Sequence, residues 1–248
     1  RNIKQNYIFW MLSKNEQKKI RLLGEKKYRF KFGLFIAEGL KIVKELIQEG
    51  YAFESIYSSK PIDFAPYKLI DKSTLKKVSQ LTNASGIIGV FKIPKFSNRF
   101  NTESFSLALD SVSDPGNLGT IIRLCDWFGI KNIYCSSDTV DCYNSKVVQS
   151  SMGSIARVKC HYIDLSTFLS KSESTVYGAT LDGITHYDNL YDKKGILVLG
   201  SESHGISPQV LKEIDQYVTI NSKGGGTKAD SLNVATATAI LLGEVFRP

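Results

Sequence analysis

The chain has little of what disulfide frameworks, metal centres and membrane spans are made from. Only four of its 248 residues are cysteine, Cys125, Cys135, Cys142 and Cys160, and no two stand as C-x-x-C. They read as buried small hydrophobes in a reducing compartment. Histidine is scarcer still: His161, His186 and His204 are scattered, and only His204 lies in a glycine motif. No metal site is expected. No apolar run approaches the roughly 18 residues of a membrane span, and no secretory pattern opens the sequence. The expected location is therefore cytoplasmic, without membrane attachment. Neither internal repeats nor low-complexity tracts are visible. Residues 1–10 contain no methionine, so Met11 is the expected natural start.

What is present is a soluble composition with an uneven charge. The apolar share is 42% and the charged share 23%, the proportions of a globular protein. Residues 1–100 hold 20 Lys and Arg against 8 Asp and Glu; residues 101–248 hold 12 against 16. A basic first part joined to a mildly acidic second part suggests that the first handles a polyanion and the second does chemistry. The alternative is solvated, Lys-rich helix faces.

Ser13-Lys-Asn-Glu16 is a capping box, and it predicts a helix from about Lys14 to Tyr28. Lys18, Lys19, Arg21, Lys26, Lys27, Arg29 and Lys31 stud this region, with Tyr28, Phe30 and Phe32 among them. Such a mixture suits a nucleic-acid backbone and unstacked bases; equally, the aromatics could turn into a core. Strands are expected at 34–37, 53–57, 68–70 and 86–91, with helices at 39–48 and 71–80. This rhythm makes a small α/β module over 11–95. Pro94 and the polar residues after it mark a linker at 96–104.

A second module is expected over 105–248. Phe105–Leu109 is an apolar strand, and Pro115-Gly116 ends it in a turn. Asn117 is the expected cap of a helix from Leu118 to Phe128, which carries Arg123 among Ile121, Ile122, Leu124 and Trp127. An arginine there needs a partner because its charge never neutralises. A ligand is one candidate, and a salt bridge to Asp126 or Asp110 the other. Further strands at 131–135, 158–162, 175–180, 196–199 and 218–220 alternate with short helices. That alternation indicates a mostly parallel sheet covered on both faces.

The last quarter places two glycine-bearing loops at the ends of two strands. Gly200-Ser-Glu202-Ser-His-Gly205 follows 196–199, and Lys223-Gly-Gly-Gly-Thr-Lys228 follows 218–220, leading to Ser231-Leu-Asn233 and an Ala-rich helix. In open α/β sheets ligands sit beyond the carboxyl ends of the strands. The triple-glycine loop fails both the phosphate-loop and the dinucleotide spacing. It therefore reads as flexible, which counts against a nucleotide-dependent α/β enzyme.

Taken in order, Pro115-x-Asn117-x-Gly119-x-x-x-Arg123, Gly200-x-Glu202-x-x-Gly205 and Ser231-Leu-Asn233-Val-Ala resemble the three-motif signature of the SpoU/TrmH family of RNA 2′-O-ribose methyltransferases, in the SPOUT superfamily. Phe35-Ile-Ala-Glu38-Gly39 resembles that family's N-terminal substrate-binding domain, so the resemblance covers the chain from Met11 onward. It implies a trefoil-knotted C-terminal methyltransferase domain, an exception to un-knotted folds, and a small RNA-binding α/β domain before it. It implies homodimers and S-adenosyl-L-methionine as methyl donor. On the matching positions the donor would be held near Thr180, Gly200, Gly205, Ile220, Ser222 and Leu232, with Glu202 and Asn233 shaping the pocket. Arg123 would activate the ribose 2′-hydroxyl, with Asn117, Ser231 and Glu202 beside the reacting centre. Where relatives read Ile-Pro-Met and a shorter glycine loop, this chain has Ile220-Asn-Ser222 and an extended insert. Ribosomal RNA is the expected substrate and tRNA the second. A non-catalytic RNA-binding assembly factor retaining the fold is the rival reading.

Overall fold

The structure, a computed structural model, describes residues 10–95, 104–188, 191–222 and 231–248. The expected 96–104 linker (except Ser104), the Lys223–Lys228 loop and residues 1–9 before the expected start at Met11 lie outside the described residues. The chain divides into two compact units.

In the first unit the capping box forms as read: Ser13 Oγ accepts from Glu16 N at 3.2 Å and Ser13 N donates to Glu16 Oε2 at 2.9 Å. The helix it starts is broken, however, into α1 (Lys14–Leu22) and α2 (Lys26–Phe32). The break lies at Leu23-Gly24, whose carbonyls both accept from the buried Arg29 guanidinium at 2.9 Å. A basic side chain expected to face solvent thus closes a helix-helix corner. Then come β1 (Leu34–Glu38), α3 (Leu40–Gln48), β2 (Phe53–Ser58), β3 (Lys68–Leu69), α4 (Lys72–Val78) and β4 (Ile87–Lys92). The sheet order is β1-β4-β2-β3, with β4 antiparallel to both its neighbours. Ile20, Leu23, Ile36, Leu75 and Val90 are among the buried residues of its core.

Glu38 is buried at the end of β1, where its carboxylate accepts from Ser79 Oγ and Gln80 N, both at 2.6 Å. Burial pushes its pKa above the ordinary 4.5, against the lowering by those two hydrogen bonds. The stability held by its protonated form is present at low pH and lost as pH rises through the raised value. Glu38→Gln is expected to flatten that decline, as read by thermal unfolding across the same pH window.

The second unit opens with β5 (Ser106–Leu109), α5 (Pro115–Trp127) and β6 (Asn132–Cys135). Tyr143–Ala156, holding α6 (Ser145–Ser150), then joins the first unit. There the Tyr143 ring packs on Phe35 with centroids 4.6 Å apart, and Tyr51 Oη donates to the Ile155 carbonyl at 3.2 Å. The sequence gives no sign of this excursion, because helical spacing does not say which core a helix serves. After it come β7 (Lys159–Tyr162), α7 (Leu165–Leu169), β8 (Val176–Thr185), β9 (Ile196–Leu199), α8 (Pro208–Leu211), β10 (Gln216–Thr219) and α9 (Val234–Val245).

These six strands form one sheet in the order β10-β8-β9-β5-β6-β7, every pair parallel. The central strands β5 and β9 are buried along their whole length, as a sheet covered on both faces requires. All four cysteines are free and buried. Burial pushes the thiols of Cys125 and Cys142 far up, so they stay protonated and inert.

Candidate active site

The helix that carries the first motif does not start where the sequence suggests. Asp114, not Asn117, is the cap of α5: its Oδ1 accepts from Asn117 N at 2.8 Å, and Pro115 occupies the first turn. Proline suits that place because its missing N–H has no intrahelical partner there anyway. The Asn117 amide is thereby released for longer-range bonds. Its Nδ2 donates to Glu202 Oε1, and its Oδ1 accepts from Asn233 Nδ2 at 2.9 Å. Asn233 in turn caps α9, accepting from Ala235 N at 3.0 Å and Thr236 N at 3.2 Å. One hydrogen-bonded chain therefore joins all three motifs across 85 and 116 positions of sequence.

Glu202 is presented by a tight loop after β9. Ser201 and Gly205 exchange backbone hydrogen bonds of 3.1 and 2.9 Å, and Gly205 has φ 66°, a conformation glycine adopts without steric cost. A side chain at Gly200 would place Cβ 2.1 Å from the Gly205 carbonyl carbon, so this position must be glycine. The loop is tied to the sheet by the buried Asp110, just past β5, whose Oδ2 accepts from Ser207 N at 2.7 Å.

Beside the loop lies a cavity of about 820 Å³ at the carboxyl ends of β9 and β10 and against residues 179–182 of β8, close to where open α/β sheets hold ligands. Thr180, Gly200, Glu202, Gly205, Ile220, Ser231 and Leu232 line it. Asn117 and Asn233 do not, though their amides reach its Glu202 directly or through one another. Arg123 and Ser222 are not among the lining residues. Arg123 is exposed on α5, and neither suggested salt bridge forms: Asp126 binds Arg157 at 2.8 Å, and Asp110 is taken by the Ser207 amide.

Sequence reasoning missed the wall formed by Leu181, Asp182, Val218 and Thr219. Strand β8 continues five residues beyond the expected end at Thr180. Its register with β10 jumps from Gly178↔Tyr217 to Ile184↔Val218, which leaves residues 179–183 bowed around the cavity. Thr219 Oγ1 holds the bow by donating to the Leu181 carbonyl at 2.9 Å. At Gly183 a Cβ would lie 2.7 Å from the Tyr217 backbone, so only glycine lets the bow return to β10. Gly183 itself was the available sign, since a glycine inside a strand marks a bulge or a close backbone approach.

The sequence model of the SpoU rRNA Methylase family matches residues 104–243, the stretch holding all three motifs and the cavity. The chain belongs to that family. A second match, to the MRM3-like substrate binding domain, covers residues 14–89. Similar curated proteins include the 23S rRNA (guanosine(2553)-2′-O)-methyltransferase RlmP of Bacillus subtilis, 28% identical over 231 residues, covering 89% of this chain and 91% of that protein. Among solved structures, a TrmH-family protein from Porphyromonas gingivalis superposes with a TM-score of 0.86 at 38% identity, covering 96% of this chain and 99% of that one. An AdoMet-bound rRNA methyltransferase from Sinorhizobium meliloti gives 0.84 at 27% identity, covering 97% of each chain. The α/β fold, with its parallel sheet and its N-terminal substrate-binding domain, is the one these SpoU/TrmH relatives share.

Proposed function

We propose that this SpoU-family RNA methyltransferase transfers a methyl group from S-adenosyl-L-methionine to a ribose 2′-hydroxyl in structured ribosomal RNA. The observation that carries the reading is the Asn233–Asn117–Glu202 chain, which brings three distant motifs to the rim of one cavity. The cavity fits the donor: its volume suits a ligand of that size, and Leu199 and Gly200 form part of its wall. Apolar Leu181 and Leu232 can take a flat purine, and Glu202 offers the negative charge that a sulfonium cation favours. The bound donor supplies an electrophilic methyl group and needs no metal. Among the described residues no cluster of metal-binding side chains occurs.

On this reading Thr180, Gly200, Gly205, Ile220 and Leu232, which line the cavity, hold the donor, with Glu202 and Asn233 shaping the site. A ribose hydroxyl is a weak nucleophile, so a base or a nearby cation must lower the cost of its developing charge. Arginine is a poor base, because a guanidinium keeps its proton throughout the range in which proteins work. Arg123 therefore acts by electrostatic stabilisation of the oxyanion, while Asn117 and Ser231 orient the reacting groups. We extend the reading to a knotted methyltransferase domain over 105–248, an RNA-binding domain over 11–95, cytoplasmic action and a homodimer. Trp127, 84% exposed at the end of α5, offers apolar area that a second copy would cover. No described helix is long and apolar enough to cross a membrane.

Isothermal titration with S-adenosyl-L-methionine tests the reading against a non-catalytic RNA-binding factor. Saturable binding at micromolar donor is expected; an RNA-binding chain with no donor affinity contradicts it.

A further inference from the structure

We propose that the outer face of α2 is a stacking platform for unpaired RNA bases, an inference that rests on the RNA-substrate reading above. A seven-residue helix is marginal alone, so the face needs outside support, and it has two anchors. The Arg29 guanidinium, 2% exposed, grips the Leu23 and Gly24 carbonyls. Gly33 in the left-handed region (φ 63°) closes the other end, its N–H donating to the Arg29 carbonyl.

Held this way, Tyr28 and Phe32 stand one turn apart on one face. Their rings lie 16° from parallel with centroids 6.0 Å apart, and Phe32 is 38% exposed instead of turned into the core. Three ammonium groups surround them: Lys27 Nζ is 4.7 Å from the Tyr28 centroid, and Lys19 and Lys31 Nζ are 5.8 and 5.9 Å from that of Phe32. Exposed cation–π contacts are weak beside base–aromatic stacking. An incoming base therefore displaces an ammonium from the ring face, and the freed ammonium is placed for the adjoining phosphate.

Charge points to the same partner. Residues 14–32 carry eight Lys and Arg against two Glu. Two lysines at the platform have exposed ion pairs, Lys27 with Glu25 at 3.2 Å and Lys19 with Glu54 at 2.8 Å. Lys31 has no carboxylate partner among the described residues. Paired RNA keeps its base faces inside the helix, out of reach of such a surface, whereas loops and bulges offer theirs.

The test is fluorescence anisotropy of the full chain with a labelled single-stranded oligoribonucleotide and a duplex of the same composition, over a salt series. Phe32→Ala and Phe32→Leu are expected to weaken single-strand binding roughly ten-fold. Duplex binding, donor affinity and the salt slope should be unchanged, and Phe32→Tyr should restore the wild-type value. Lys31→Gln should instead reduce the single-strand salt slope by about 0.7. If the Phe32 variants bind both RNAs like wild type, or lose both equally, the platform is overturned while the RNA reading stands. If the wild-type chain binds neither RNA, the RNA reading falls with it.

Discussion

Arg123→Ala is expected to lower methyl transfer to RNA by about 10²–10³-fold, the usual cost of removing one group that stabilises a developing oxyanion. Donor affinity, measured by titration calorimetry, should change less than about two-fold, because a loss confined to the transition state leaves ground-state binding intact. The structure makes this a clean substitution. Arg123 is exposed on α5, and the carboxylates that could have claimed it are bound elsewhere, Asp126 by Arg157 and Asp110 by the Ser207 amide. No described ion pair is broken by removing it. Incorporation of labelled methyl at the wild-type rate would take Arg123 out of the mechanism.

Gly200→Ala is the second large effect, and it acts on binding. The added methyl group would lie 2.1 Å from the Gly205 carbonyl carbon and 2.3 Å from both its oxygen and Ile206 N. These are backbone atoms of the loop that Ser201 and Gly205 clamp together, so no side-chain rotation relieves the clash. The loop must open, and with it the wall of the cavity. Donor affinity should fall at least about a hundred-fold, roughly 2.7 kcal/mol. Gly243→Ala on α9 is the matched control: nothing lies within 4 Å of its would-be Cβ. Alanine there should leave donor binding unchanged and raise the midpoint of thermal unfolding slightly, through its better helix propensity.

The contrast between these two glycines shows what the sequence could and could not carry. Apolar strands such as Ile196–Leu199 and the capped start of α1 and whole of α9 announce themselves through local spacing and cap chemistry, whereas the end of α1 at Leu22, six residues short of the expected Tyr28, does not. The glycine motif after β9 was equally legible, but the atom that makes Gly200 indispensable belongs to the far side of its own loop. Longer-range features left weaker marks. Asn117 looked like a helix cap because asparagine often is one; only the fold reveals that Asp114 takes that duty and frees Asn117 for Glu202 and Asn233. The bow at 179–183 hid inside a strand whose partner β10 lies nearly forty positions on. Arg29 read as one more solvent cation, yet it is buried to close a corner between two helices. In each case the deciding partner is remote in sequence, where neither periodicity nor propensity reaches.

The proposed activity is defined by the oxygen that receives the methyl group. Incubating the protein with unmodified ribosomal RNA and deuterium-labelled S-adenosyl-L-methionine, then digesting to nucleosides for mass spectrometry, answers this directly. The label is expected on the ribose of a single nucleoside, and its rate of appearance should fall by about 10²–10³-fold when Arg123→Ala replaces the wild type. Label on a base, or none from a protein that binds the donor, would contradict the account.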